Sequence, residues 1–166
     1  MKKEFTRIKK MFSLKDLHGM AISIMNLSAV ELPFGTTKYR IAMVLQQLKP
    51  IYTTIEKMRM QLIDQHNPYV DEQKIKRIDP MLQGAFTKKW EEFLATEQEI
   101  DVIALDLRVL FPSVLGMSAD MTNLLPILDP KYLEWLETDE AIKLEEKYFK
   151  DLSDKTKENK DKKEEK

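Results

Sequence analysis

Between residues 41 and 62, apolar side chains recur at intervals of four and three: Ile41, Leu45, Leu48, Tyr52, Ile55, Met58 or Arg59, and Leu62. An a/d seam kept up for about three heptads belongs to a helix that lies along another helix. This constrains the fold more than any other feature of the chain. Pro50 falls inside the seam, where a proline removes one hydrogen bond and crowds the preceding turn at a cost of about 3 kcal/mol. It either kinks one long helix or opens a second helix at its first position. The seam keeps its phase across Pro50, which favours a single kinked rod, capped by Thr36 or Thr37 and ended by His66-Asn67-Pro68.

A second helix is expected from Leu14 to Ser28. Ser13 and Asp16 resemble a capping box, and Leu17, Met20, Ala21, Ile24 and Leu27 follow at helical spacing. Residues 67–84 are polar, broken by Pro68, Pro80 and Gly84, and read as a long loop. A third helix over Ala85–Glu97 carries Phe86, Trp90, Phe93 and Leu94 on one face, an aromatic stripe suited to an antiparallel return along the seam. From Glu99 the period changes to two, which predicts a strand or extended segment near 99–110 with a phase slip at Val102-Ile103. Its candidate partners are residues 5–12 or Glu31–Phe34. Ser118 or Asp120, then Asp129-Pro130, then Thr138 open three further helices that close the core. The expected fold is mainly α with a minor β component: a helical hairpin built on the long kinked helix, and a C-terminal cluster of short helices. Residues 1–152 form one domain, and residues 153–166 a charged tail, disordered or a frayed helical extension, with no apolar side chain.

Charge and composition narrow the function. The net charge is -1, yet residues 1–10 hold five bases against one acid. Residues 153–166 hold six lysines against five acids, which leaves the rest of the chain at -6. Such a balance does not suit bulk nucleic-acid binding. With no cysteine, thiolate metal sites and cysteine nucleophiles drop out. With four glycines and no Walker, Gly-x-Gly-x-x-Gly or Gly-x-Ser-x-Gly motif, so do the familiar phosphate loops and the nucleophile elbow. His18 and His66 fall on different elements and read as surface or capping residues. Glu91-Glu92, Glu97 and Glu99-x-Asp101 read as a solvated acidic face, and Asp106 with Arg108 as a surface charge pair. No catalytic residue, metal site or cofactor is expected. The run Met20–Val30 is too short and too polar to span a bilayer, and Lys15, Asp16 and His18 break up any signal peptide.

Two signals point to binding. One is the basic, amphipathic lead of Lys2, Lys3, Phe5, Arg7, Lys9 and Lys10. The other is the seam, at Ile41, Leu45, Leu48, Tyr52, Ile55 and Leu62, which serves an intramolecular hairpin or a homo-oligomeric bundle. Ten methionines add adaptable apolar surface or core filling.

Several stretches carry a resemblance. They are Glu31-Leu32-Pro33, Lys38-Tyr39-Arg40-Ile41-Ala42, Glu56 to Ile63, Phe86 to Asp101 (sharpest over Thr96-Glu97-Gln98-Glu99-Ile100-Asp101) and Ser118 to Leu128. In this order they resemble a family of small, uncharacterised bacteriophage and prophage proteins, over about residues 12–128. The resemblance supplies no catalytic residue, and the extension from Asp129 has no counterpart in it. It implies a phage-encoded, non-enzymatic protein whose role is unassigned. Taken with the seam, the charged termini and the missing chemistry, the expectation is a phage structural or assembly protein: a virion component, a connector or ring, or an assembly chaperone. The partners would be other phage proteins or a second copy of the chain, and the location host cytoplasm or virion. The alternative is an early phage protein that binds and inhibits a host enzyme or defence complex. A nucleic-acid accessory role through residues 2–10 ranks third.

Overall fold

The computed structural model describes residues 5–30 and 35–164, except the side chains of Pro112 and of residues 156–164. The fold is mainly α with a small β component. Strand β1 (Arg7–Ser13) leads directly into helix α1 (Leu14–Ala29), and the long helix α2 (Thr36–Asp64) follows. A hairpin of two-residue strands, β2 (Tyr69–Val70) and β3 (Lys76–Arg77), precedes α3 (Gln83–Leu94) and strand β4 (Glu97–Ile103). The short helices α4 (Phe111–Val114), α5 (Ser118–Leu124) and α6 (Pro130–Leu136) then lead to α7 (Asp139–Glu164).

Ser13 ends β1 and starts α1. Its Oγ accepts the Asp16 N–H at 3.1 Å and donates to the Asp16 carboxylate at 2.7 Å. The box thus closes side chain to side chain rather than back onto the cap's own N–H. Leu17, Met20, Ala21, Ile24 and Leu27 form the fully buried face of α1. That face lies along Ile41, Val44, Leu48 and Ile55 of α2, so the helical hairpin joins these two neighbours. The aromatic stripe of α3 is not the main partner of the seam. Phe86 is its one buried residue, packed edge-on against His66 at the end of α2. The five fully buried apolar residues of α1 offer the seam more apolar surface than the single buried residue of α3.

Helix α2 is continuous through Pro50. Pro50 is exposed, so the Gln46 carbonyl that loses its donor can face water. The capping expectation fails at the start of this helix. Gly35 is the cap, and the Thr37 hydroxyl instead donates to the Asp106 carbonyl at 3.3 Å.

The strand expected near 99–110 is β4, and of the two candidate partners it takes residues 7–13, antiparallel, with Ile8 opposite Val102 and Met11 opposite Glu99. The phase slip is no bulge. It marks where the strand ends and the chain enters the core, so that Val102, Ile103, Ala104 and Leu105 are all buried. Leu105 forms a parallel bridge with Leu128, tying the end of β4 to the start of α6. The expected long loop holds the β2–β3 hairpin, organised by Asp71, which accepts from the N–H groups of Gln73 and Ile75 and from Arg77 Nε.

In the C-terminal cluster Asp129 caps α6 by accepting from the Lys131 N–H at 3.0 Å, and Thr138 Oγ1 accepts the Ala141 N–H of α7. Ser118 and Asp120 do not cap α5, which begins after Met117 with no side-chain cap. Gly19 lets α5 approach α1: a Cβ there would lie 3.3 Å from the Asn123 side chain, which donates to the buried Ser23 hydroxyl at 3.1 Å. The backbone of α7 is helical from Asp139 to Glu164. Asp151 and Lys155, four apart and both exposed, suit a solvated helix face. Among the described residues no helix is long and apolar enough to cross a membrane.

Candidate functional site

The residue types that carry chemistry lie far apart. His18 of α1 stacks on Tyr52 of α2, with ring centroids 5.2 Å apart, and its Nε2 lies 3.0 Å from Glu56 Oε1. His66 is buried, with Nδ1 2.6 Å from the Leu62 carbonyl in the last turn of α2, where a histidine closes a helix end. Among the described residues no three His, Cys, Asp or Glu side chains converge to hold a metal ion. The acidic run on β4 faces the basic lead. Arg7 pairs with Asp101 at 2.9 Å and Lys9 with Glu99 at 3.2 Å, across the outer face of the sheet. Two of the three bases of β1 are thus answered within the chain. Exposed pairs of this kind contribute about 0–1 kcal/mol each. Lys10 stands over the Phe12 ring at 5.5 Å. Phe5 packs on Tyr39 and Arg40, while Lys2 and Lys3 lie outside the described residues.

Six seam residues were also candidates for a partner. Ile41, Leu48 and Ile55 are buried and Leu45, Tyr52 and Leu62 half-buried, with α1 of the same chain occupying the seam. Ile41, Leu48 and Ile55 have almost no accessible surface and serve the intramolecular hairpin, while Leu45, Tyr52 and Leu62 keep part of theirs.

Two clefts remain. The first, of about 420 Å³, lies where Phe5 and the start of α2 meet the segment after β4. Arg108 grips Asp106 through Nε and Nη2, at 3.0 and 2.5 Å, as the sequence suggests for this pair. Burial would raise the Asp106 carboxyl, but the Arg108 hydrogen bonds and charge, helped by Arg40, outweigh it and hold the group below its ordinary value. Arg40 reaches across to the Ala104 carbonyl (3.2 Å) and to Asp129 Oδ2 (3.3 Å), with its guanidinium 5.1 Å from the Phe5 ring. Its Nε is buried without a hydrogen-bond partner. Each guanidinium of the cleft has a carboxylate partner: Arg108 pairs with Asp106 in its wall and Arg40 with the buried Asp129 behind it. Its role is to join α2, the end of β4 and the cap of α6. Sequence reasoning reads Arg40 only as part of a motif and Asp129 only as a cap, because a pairing 89 residues apart leaves no local signal.

The second cleft, of about 390 Å³, is apolar. Its floor is Phe111, Val114, Leu128 and Tyr132, all buried, and its rim is Leu115, Met121, Leu136 and the half-exposed Leu125. The polar side chains on it are Ser118 and Glu145. Burial, together with the charge of Asp106, pushes the Tyr132 hydroxyl up to about 12, which keeps it neutral under the floor. The short helices α4, α5 and α6 and the segments between them build this cleft, and Glu145 of α7 stands at its edge. Tyr148 of α7 comes close to Gly116, where a Cβ would lie 3.4 Å from the Tyr148 hydroxyl. Beyond that point, residues 149–155 are all exposed. The sequence shows these residues as helix faces closing a core. Nothing in a helical period reveals that their packing leaves a gap. Compared with family models, curated proteins and solved structures, the chain matches none.

Proposed function

We propose that this chain is a non-enzymatic binding protein that acts through protein–protein contacts, and that its setting is bacteriophage structure or assembly. The observation that carries the first half is the open apolar cleft at the root of α7. Solvent-accessible leucine and methionine around a buried aromatic floor are characteristic of a surface completed by another molecule. Arg7 and Lys9 of the basic strand and the buried residues of the seam are engaged inside the chain, whereas the cleft is apolar and open. The phage setting rests on the resemblance of the segments within residues 12–128.

The test uses the full chain and a Leu125→Asp variant, each immobilised and exposed to lysate from induced, prophage-bearing cells. Retained proteins are identified by mass spectrometry, and purified particles are assayed for the chain itself. The expected result is a virion or assembly protein held by the wild type and lost with Leu125→Asp. Leu125 is half exposed, so the variant should keep its circular dichroism and melting temperature. Retention of a single host enzyme would move the reading to the early host-directed inhibitor. Identical profiles from both chains would overturn the cleft as the binding surface.

A further inference from the structure

We infer that the apolar cleft takes a basic amphipathic helix of the partner, and this rests on the protein-binding reading above. The reason is the charge around it. The helix that forms one wall, α6, and the first two turns of α7 span residues 130–146. Over that stretch Glu134, Glu137, Asp139, Glu140, Glu145 and Glu146 face two bases, Lys131 and Lys143. All six acids are exposed, and among the described residues none is in an ion pair. The opposite wall, residues 111–127, adds Asp120 and no base. This contrasts with β4, where the acids are answered by Arg7 and Lys9.

An apolar floor inside a surround of net negative charge, in which the charge of Arg108 reaches Glu140, selects an occupant with the reverse pattern. A helix with apolar anchors at i, i+3, i+4 and i+7 can fill the floor between Leu115, Met121, Leu125 and Leu136. Lysines or arginines on its flanks then meet the acids of α6 and α7 within a Debye length of about 10 Å at 0.1 M salt. An acidic helix with the same anchors would meet like charge, which costs affinity and slows encounter. The chain's own lysine-rich end from residue 153 has no apolar anchor, so it does not satisfy both requirements.

Three labelled synthetic 18-residue helical peptides test the inference by fluorescence anisotropy with the full chain. They share one leucine face and carry Lys, Gln or Glu at every other position. The Lys peptide is expected to bind at least tenfold tighter than the Glu peptide at 50 mM salt, with the gap closing at 500 mM. Leu125→Asp should weaken it tenfold or more, and Glu145→Lys severalfold, both in chains of unchanged circular dichroism. If all three peptides bind equally and Leu125→Asp weakens each of them, the cleft binds helices without regard to charge. The inference then falls while the protein-binding reading stands. If none binds, or Leu125→Asp has no effect on any of them, the cleft as a protein-binding surface falls with it. A concentration-dependent dimer abolished by Leu125→Asp would make the occupant a second copy and overturn the inference.

Discussion

Replacing Arg40 by methionine removes one half of a buried ion pair while keeping the length of the stem. The Arg40 and Asp129 side chains are 13% and 6% exposed, so each charge depends on the other more than on water. Breaking such a pair by deleting one partner costs about 3–5 kcal/mol. The contact is single and 3.3 Å long, and Asp129 retains the Lys131 N–H, so the lower end, about 3 kcal/mol, applies. Asp129→Asn keeps a competent helix cap and strands the arginine instead, at about 2–3 kcal/mol. The double variant should come back to within about 1 kcal/mol of wild type. It removes both charges and also the buried, unpartnered Nε, a donor whose desolvation costs about 1–3 kcal/mol. Urea denaturation, followed by the fluorescence of Trp90 and Trp135, measures all four corners of the cycle. A chain this size loses about 9 °C of melting temperature for 3 kcal/mol. A coupling energy of about 2 kcal/mol or more is expected. An Arg40→Met cost under about 1 kcal/mol, or two singles that simply add, would refute the argument that this pair ties α2 to α6.

Three further outcomes follow from local geometry. Ser13→Ala should lose about 1 kcal/mol by chemical denaturation, because the Asp16 N–H loses its acceptor at the start of α1. Asp106 has its carboxyl lowered in the folded state, so its contribution is present above the unfolded value near 3.8 and is lost as pH falls through the lower folded value. The stability gap between wild type and Asp106→Asn should therefore be constant above about pH 5 and shrink below about pH 4 in pH-resolved urea titrations. Tyr132 shows the opposite sign. Its pKa rises from 10.0 to about 12, so stability is full below pH 10 and declines between 10 and 12 as only the unfolded chain ionises. Tyr132→Phe should flatten that alkaline limb in thermal melts, and an unchanged limb would contradict a buried phenol.

Legibility from sequence tracked how local the cause was. Helix α1 was readable because Ser13 caps it and its buried residues recur every three or four positions. The seam of α2 was readable for the same reason, although it omitted Val44, which is fully buried one step off the a/d pattern. Strand β1 was harder to see. Lysines occupy both of its faces, and Lys10 shares the core-facing register of Ile8 and Phe12 while its ammonium group lies over the Phe12 ring. The β2–β3 hairpin had no hydrophobic period to betray it, since one aspartate holds it together. The Arg40–Asp129 pair and the apolar cleft depend on residues far apart in the chain. No window of sequence contains both halves of either.

The pairing of β1 with β4 has a consequence for the order in which the molecule is made. Arg7 bonds to Asp101, 94 residues further along the chain. At about 5–20 residues per second, roughly 5 to 20 s of synthesis separate the two strands. During that interval α1 can dock on α2, but β1 waits as a lone strand with open backbone edges and Phe12 uncovered. A ribosome stalled before residue 103, or a protease cut between the strands, would release a fragment whose first strand is free to pair with that of a neighbouring molecule.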